Sequence, residues 1–359
     1  MLARIAQELF WLGRDLTRAE HTARMLDGAF HADVAGTPGE RGIALSWNGV
    51  LAVIGTKPPA PGETESTGIT TEFSAVSLTD PLPPVAASLG RAEIAPLLTL
   101  DTDDPASVVS CVYRARERAR TLRDVISTEM WEALNSFYLS LGRYDLEAAL
   151  ATGPYSVYQE VKERCALFWG LLEQTMLRDE ARSFLEAGGR IEKADMMLRM
   201  LRVALPAGAT GAGATGAGAV GAPGLDGGGE ALAAYEGEAL ALLHAVGGFQ
   251  AYRRHLRQAP SLERVGSFLL YESQYPGSVL ASLDELRVAL ETADPSPRSA
   301  QPVLRLGRLI ADLELQQRTI ARTEPLSEML ARLQDELELI DREIDDRYFA
   351  VAALGMVRV

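Results

Sequence analysis

The feature that most constrains the fold of this chain is an apolar stripe with helical spacing close to its N-terminus. Between about Leu2 and Asp27, apolar residues recur at steps of four and three, at Ile5, Leu9, Leu12, Leu16, Ala19, Ala23 and Leu26. Such steps place side chains on one face of an α-helix. A second stripe predicts a long C-terminal helix over about residues 325–354. Stripes of this length need partner helices to cover them.

The remainder of the chain shows further helical periods and no alternation long enough to build a sheet. We therefore predict an all-α fold, a multi-helix bundle. Residues 56–79 are rich in Pro, Gly, Ser and Thr and predict a long loop. Residues 206–229 are nearly all Gly and Ala and predict a flexible linker. We expect an N-terminal helical half at 1–150 and a C-terminal half at 151–359.

Charge and composition exclude several classes of protein. The net charge of −14 argues against binding to nucleic acid or to an anionic membrane surface. No apolar run approaches the ~18 residues of a membrane span. The two cysteines, Cys111 and Cys165, form no disulfide framework and suggest a cytoplasmic protein. Neither metal-ligand spacing nor a phosphate-binding loop occurs, so we expect no metal and no cofactor.

One helical motif occurs twice. FWLGRDLTRAEHTAR (10–24) and LEAGGRIEKADMMLR (185–199) align without gaps. The matched pairs are Gly13 with Gly188, Arg18 with Lys193, Glu20 with Asp195, and Arg24 with Arg199. At ~100° per residue, each acid lies at the edge of its apolar stripe, with a glycine two turns earlier on the same side. Because glycine weakens a helix, this placement predicts close approach of another backbone or side chain.

The acids of the motif allow more than one interpretation. Glu20–Arg24 and Asp195–Arg199 are pairs spaced by four residues, each worth only ~0.2–0.5 kcal/mol on a solvated helix. A single such pair is usually an ordinary helix surface. Recurrence in the same geometry also favours structural buried ion pairs or a functional acidic site.

A second concentration of charge is an arginine-rich helix. The stretch YRARERARTLR contains Arg114, Arg116, Arg118, Arg120 and Arg123. On the helical wheel, Arg116 and Arg123 flank the apolar stripe, whereas Arg114 and Arg118 point away. Three interpretations stay open for these arginines: solvated charge on the helix surface, structural ion pairing in which Arg116 and Arg123 meet a carboxylate at the bundle edge, with Glu20 or Asp195 as candidates, and ligand binding. Together with Arg120, Arg116 and Arg123 are also candidate ligands for an anion.

These residues resemble a known family. WLGRDLTRAEHTARML is similar to the opening helix of the bacterial alpha-E family, whose motif reads roughly L-G-R-x-x-E-R-A-E. Segments such as YQEVKERCALFWGLLEQTMLRDEARSFL and SFLLYESQYPGSVLASLDEL are also similar to that family, in the same order. The residues that fit the motif are Arg14, Arg18, Glu20, Arg24, Asp195 and Arg199. The chain departs from it at Thr17 (for Glu), at Gly189 (for Arg) and at Lys193 (for Arg).

The resemblance implies an all-helical protein that is usually encoded beside a circularly permuted ATP-grasp protein and a transglutaminase-like peptidase. Our first hypothesis is a non-catalytic helical partner, or a substrate-holding subunit, of a system that forms amide bonds on a peptide. The second is an enzyme of acyl or amide transfer that uses carboxylates and arginines between the two motif helices. The third is a purely structural scaffold.

Overall fold

The computed structural model describes residues 1–34, 46–55, 90–145, 148–149, 153, 155–205, 228–318 and 325–350, excluding the side chains of 228–236. Over these ranges the chain is helical and contains no strand. The predicted all-α fold is therefore confirmed. The predicted loop at 56–79 lies outside the described residues, and so does the Gly/Ala linker up to residue 227.

The described helices range from the 32 residues of the first helix to eight residues in the shortest. They are α1 (Ala3–Val34), α2 (Trp47–Ile54), α3 (Arg91–Thr99), α4 (Val108–Thr121), α5 (Thr128–Leu141), α6 (Tyr155–Thr175), α7 (Glu180–Ala204), α8 (Gly228–Ala245), α9 (Phe249–Leu256), α10 (Leu262–Tyr271), α11 (Val279–Ala293), α12 (Gln301–Arg318) and α13 (Leu326–Ile344). The predicted C-terminal helix is present as α13, and a π-helical turn follows it at Asp345–Phe349.

Eight of the described helices form two equivalent groups of four. In the first group α1 packs on α4 and α6, and α5 packs on the same two helices. In the second group α7 packs on α11 and α13, and α12 packs on the same two helices. The helix starts correspond as well, since Ser107 caps α4 and Ser278 caps α11 through the side-chain oxygen. The internal repeat is thus a whole four-helix unit, larger than the motif that the sequence revealed.

The two groups meet at α1 and α7, which share the most extensive contact between described helices. Because α6 packs on α1 and α5, the predicted division at residue 150 would cut the first group. A division between α6 and α7 keeps both groups whole. Two insertions reach across this junction. α2 packs on both α1 and α7, and α8, from the second half, packs on α1.

Within the described ranges, none of the helices has both the length and the apolar character that crossing a membrane demands.

Candidate functional site

The backbones of α1 and α7 touch at the paired glycines of the motif. A Cβ on Gly13 would overlap the carbonyl oxygen of Leu185, and a Cβ on Gly188 would overlap the carbonyl oxygen of Phe10. The two contacts are reciprocal, because Leu185 and Gly188 each stand 175 residues after Phe10 and Gly13. The predicted close approach is confirmed. We call this contact the crossing.

Beside the crossing lies a buried ion-pair network that joins the two halves. Glu192 of α7 is fully buried. It accepts hydrogen bonds from Nε of Arg14 at 3.0 Å and from Nε of Arg18 at 2.5 Å, both on α1. Nη1 of Arg14 also lies 2.7 Å from Asp341 of α13. Burial alone would raise the pKa of Glu192, but Arg18 and Arg14 lower it to about 2, so the carboxylate is charged at neutral pH.

The departures from the motif compensate each other across the crossing. In the alignment Thr17 matches Glu192, and Arg14 matches Gly189. Arg14 pairs with Glu192, and at the reciprocal position the Thr17 hydroxyl lies 3.2 Å from where a Cβ on Gly189 would stand. The ring of Trp169 covers the same glycine. One of the two equivalent positions therefore holds an ion pair, and the other holds neutral groups, with the Trp169 ring beside them.

The remaining acids of the motif are also paired. Arg24 Nη2 lies 2.8 Å from Glu20, and Arg199 Nε lies 2.7 Å from Asp195, which also accepts a hydrogen bond from Gln334. Both predicted i,i+4 pairs are confirmed. The acids therefore hold their arginines at the edge of the bundle, where each guanidinium group points away from the crossing.

Each of these arginines supports an insertion from the opposite half. Nη1 of Arg24 lies 3.2 Å from the Cβ position of Gly247, which follows α8 with φ +69°. Nη1 of Arg199 lies 3.3 Å from the Cβ position of Gly55, which follows α2 with φ +82°. Both glycines adopt the left-handed conformation that other residues avoid. A cation beside a helix C-terminus is favourable, so the outer arginines of the motif stabilise both insertions.

On the arginine-rich helix, Arg116 and Arg120 do form ion pairs, but the candidate partners Glu20 and Asp195 are wrong. Neither Arg116 nor Arg123 reaches Glu20 or Asp195. Arg116 donates to Asn135 at 2.8 Å and pairs with Glu117, as Arg120 does. The guanidinium of Arg123 lies 4.0 Å from the ring centroid of Trp131. Arg116 and Arg123 contact α5 because α1 packs on the other side of α4, whereas Arg120 stays exposed on α4.

The arginines that we expected to point away are the ones that reach α1. Arg114 pairs with Asp15 at 2.8 Å, and Arg118 pairs with Asp15 at 3.1 Å and with Glu8 at 2.9 Å. Asp15 is buried, and the sequence reasoning missed it. The available signal was spacing, because Glu8 and Asp15 are seven residues apart on α1, and Arg114 and Arg118 are four residues apart on α4.

A family model described as a predicted alpha-helical domain with a conserved ER motif matches residues 1–349. The chain belongs to the Alpha-E family. Two uncharacterized relatives, from Mycobacterium bovis and Mycobacterium tuberculosis, are each 23% identical to it over 306 residues, which is 83% of this chain. The Alpha-E chain spans only 31% of the length of these relatives. No solved structure matches it.

Glu192, which the sequence analysis did not single out, occupies a position of the family motif. In the form L-G-R-x-x-E-R-A-E, Glu-Arg corresponds to Thr17-Arg18 in the first copy of this Alpha-E protein and to Glu192-Lys193 in the second. The glutamate of the second copy binds the arginine of the first, across the crossing. An acid and a base that are adjacent in the motif thus meet between copies rather than within one.

The other ionisable groups near the crossing are also buried. Burial lowers the pKa of His21 to about 4 and lowers that of Lys193, while it raises the pKa of Cys111 to about 11. The imidazole of His21 and the thiol of Cys111 are therefore neutral at pH 7. Among the described residues of this Alpha-E protein, no three His, Cys, Asp or Glu side chains are grouped so as to hold a metal ion. The arrangement suits fixed ion pairing.

The two outer acids are expected to differ in their contribution to stability. Asp195 is buried and accepts from two side chains, whereas Glu20 is half-buried and, among the described residues, accepts from the side chain of Arg24 alone. We expect Asp195→Asn to lower the free energy of unfolding by about 1–3 kcal/mol, and Glu20→Gln by less than about 1 kcal/mol. Urea unfolding followed by circular dichroism measures both. An equal or larger loss in Glu20→Gln would contradict this ranking.

Proposed function

We propose that this Alpha-E protein is a non-catalytic helical partner, or a substrate-holding subunit, of a cytoplasmic ATP-grasp-type system that forms amide or peptide bonds. The observation that carries the proposal is the state of the motif carboxylates. Glu192 is fully buried between two arginines, and both Glu20 and Asp195 are paired. A general base or a nucleophile must reach its substrate. These acids therefore support a role in holding the fold, with the chemistry supplied by a partner.

The length of the relatives supports a partner. Each mycobacterial relative contains about two thirds of its sequence outside the region that matches this chain. A helical unit that occurs inside longer chains is suited to work beside another unit. The family resemblance suggests which one, namely the circularly permuted ATP-grasp protein, with a transglutaminase-like protein and a peptide substrate in the same system.

The acyl- or amide-transfer alternative makes a different demand on the same residues. It requires Glu20 or Asp195 to leave its arginine and accept a proton from substrate. The ion pairs weigh against this, since each carboxylate is already bonded at 2.7–2.8 Å. The scaffold alternative shares the structural role of the motif and differs only in lacking a partner.

Co-expression with the ATP-grasp and transglutaminase-like neighbours tests the proposal. Affinity purification through a tag on this chain is expected to recover the ATP-grasp protein. Glu20→Gln, whose stability is nearly unchanged, is expected to retain both the association and the amide-forming activity of the assembled system. Failure of the well-folded proteins to associate would refute the partner role. Loss of activity in Glu20→Gln, with the complex intact, would instead support the enzyme.

A further inference from the structure

The two four-helix groups differ on the outward side of the equivalent helices α5 and α12. The buried residues of α5, Met130, Leu134, Phe137 and Leu141, recur on α12 172 residues later as Pro302, Leu306, Leu309 and Leu313. With that alignment, the outward positions of the first group are Glu132, Asn135 and Leu139 of α5 and Arg143 just after it, three of the four polar. The same positions of α12 are Leu304, Gly307, Ala311 and Leu315. We call these four residues the α12 face.

The α12 face is apolar and open. Leu304 is 53% exposed and Leu315 is 66% exposed. A Cβ on Gly307 would meet no atom within 4 Å. Gly307 lies in an open groove of about 710 Å³ between α11 and α12. In the first group the corresponding space, between α4 and α5, is occupied. There the Arg116 side chain of α4 reaches α5 and donates to Asn135.

We propose that the α12 face binds the same face of a second copy of the chain, with the two α12 helices antiparallel. In this arrangement Leu304 faces Leu315 of the second copy, and Gly307 faces Ala311. The spacing of three and four residues between members of the face gives one continuous helical stripe. Small residues at its centre allow two helices to approach closely, as Gly13 and Gly188 do at the crossing.

Charge selects a second copy as the occupant, and selects the antiparallel orientation. Along one flank of the α12 face the exposed Arg308 precedes Asp312, 3.8 Å apart within the chain, so this flank runs from basic to acidic. In the antiparallel register given above, Arg308 of each copy comes beside Asp312 of the other, so this pair of charges is complementary to itself. A parallel pair would place like charges together. A surface that is complementary to itself in this way suits a twofold dimer.

Gly307→Leu tests the proposal without disturbing the fold. The added side chain meets open space in the monomer, and leucine is a better helix former than glycine, so the melting temperature is expected to be unchanged or higher. In a dimer the same side chain would obstruct the closest approach of the helices. Gly170→Leu on α6 is the matched control, because a Cβ on Gly170 also meets nothing within 4 Å.

Sedimentation and light scattering of the full chain over a range of concentrations give the readout. We expect wild type and Gly170→Leu to approach twice the chain mass of 38.7 kDa, and Gly307→Leu to stay at that mass. A monomeric wild type at every concentration, or a Gly307→Leu dimer as strong as wild type, would overturn the proposal. This outcome is independent of whether the ATP-grasp partner binds.

Cross-linking tests the orientation. Mixing a Leu304→Cys chain with a Leu315→Cys chain is expected to give a covalent dimer under oxidation, while each variant alone gives far less. Efficient dimers from each variant alone, and none from the mixture, would contradict the antiparallel arrangement.

Discussion

Gly188→Ala is expected to lower the free energy of unfolding by about 3 kcal/mol or more, the upper end for adding atoms to a packed interior. The new Cβ would overlap the carbonyl oxygen of Phe10, and that oxygen is part of the α1 backbone. No rotamer change relieves such a clash, so α1 and α7 must move apart. The buried pairs that Arg14 and Arg18 make with Glu192 would lengthen with them. Urea unfolding of the purified variant measures the loss.

The same substitution at Gly170 is expected to have the opposite sign. Gly170 lies within α6, and an added Cβ there meets nothing within 4 Å. Replacing a helical glycine with alanine in open space stabilises by about 0.5–1 kcal/mol. If Gly188→Ala were as stable as Gly170→Ala, the crossing would not be as close as described.

Glu192→Gln is expected to lower the free energy of unfolding by about 3–5 kcal/mol, the usual cost of removing one partner from a buried ion pair. The substitution leaves the largely buried side chains of Arg14 and Arg18 without the carboxylate that both contact. Glu132→Gln on α5 is the control, because Glu132 is exposed and its loss is expected to stay within about 0.5 kcal/mol. Equal losses in the two variants would contradict the account.

The effect of Glu192→Gln is expected to depend on pH. The pKa of Glu192 in the folded protein is about 2, below its ordinary value of 4.5. A carboxylate with a lowered pKa contributes stability that is fully present above the unfolded pKa and is lost as pH falls through the folded pKa. The difference between wild type and Glu192→Gln is therefore constant at neutral pH and narrows between about 4.5 and about 2. A difference that widened over this range would be inconsistent with a buried anion.

Sequence reasoning found the central helices of the fold but not its full symmetry. Glycine, acid and arginine recur at the same spacing in α1 and α7, so the repeat was visible there. Elsewhere equivalent positions carry opposite charges. Asp15 of α1 pairs with Arg114 of α4, whereas at the equivalent positions Arg190 of α7 pairs with Glu285 of α11. An alignment of residue types cannot detect a charge pair that has been reversed.

The partners of the arginines on α4 and of Glu192 could not be predicted from the sequence, because they depend on how the helices pack. A helical wheel ranks residues by angle from one stripe, but α4 packs on two helices at once. Its arginines therefore divide between Asp15 on one side and Trp131 on the other, and angle alone does not say which. Glu192 escaped notice because its counterpart in the first copy is Thr17. Only the contact between the two copies shows that Glu192 and Arg18 belong together.

The most direct test is a double-mutant cycle on Arg18 and Glu192, with the free energy of unfolding as the readout. The central claim is that a charge pair spanning the two copies of the motif joins the halves of the protein. It predicts that Arg18→Met combined with Glu192→Gln costs less than the sum of the single changes, by about 1–3 kcal/mol. Losses that add to within about 0.5 kcal/mol would show that the two residues act independently, and would contradict it.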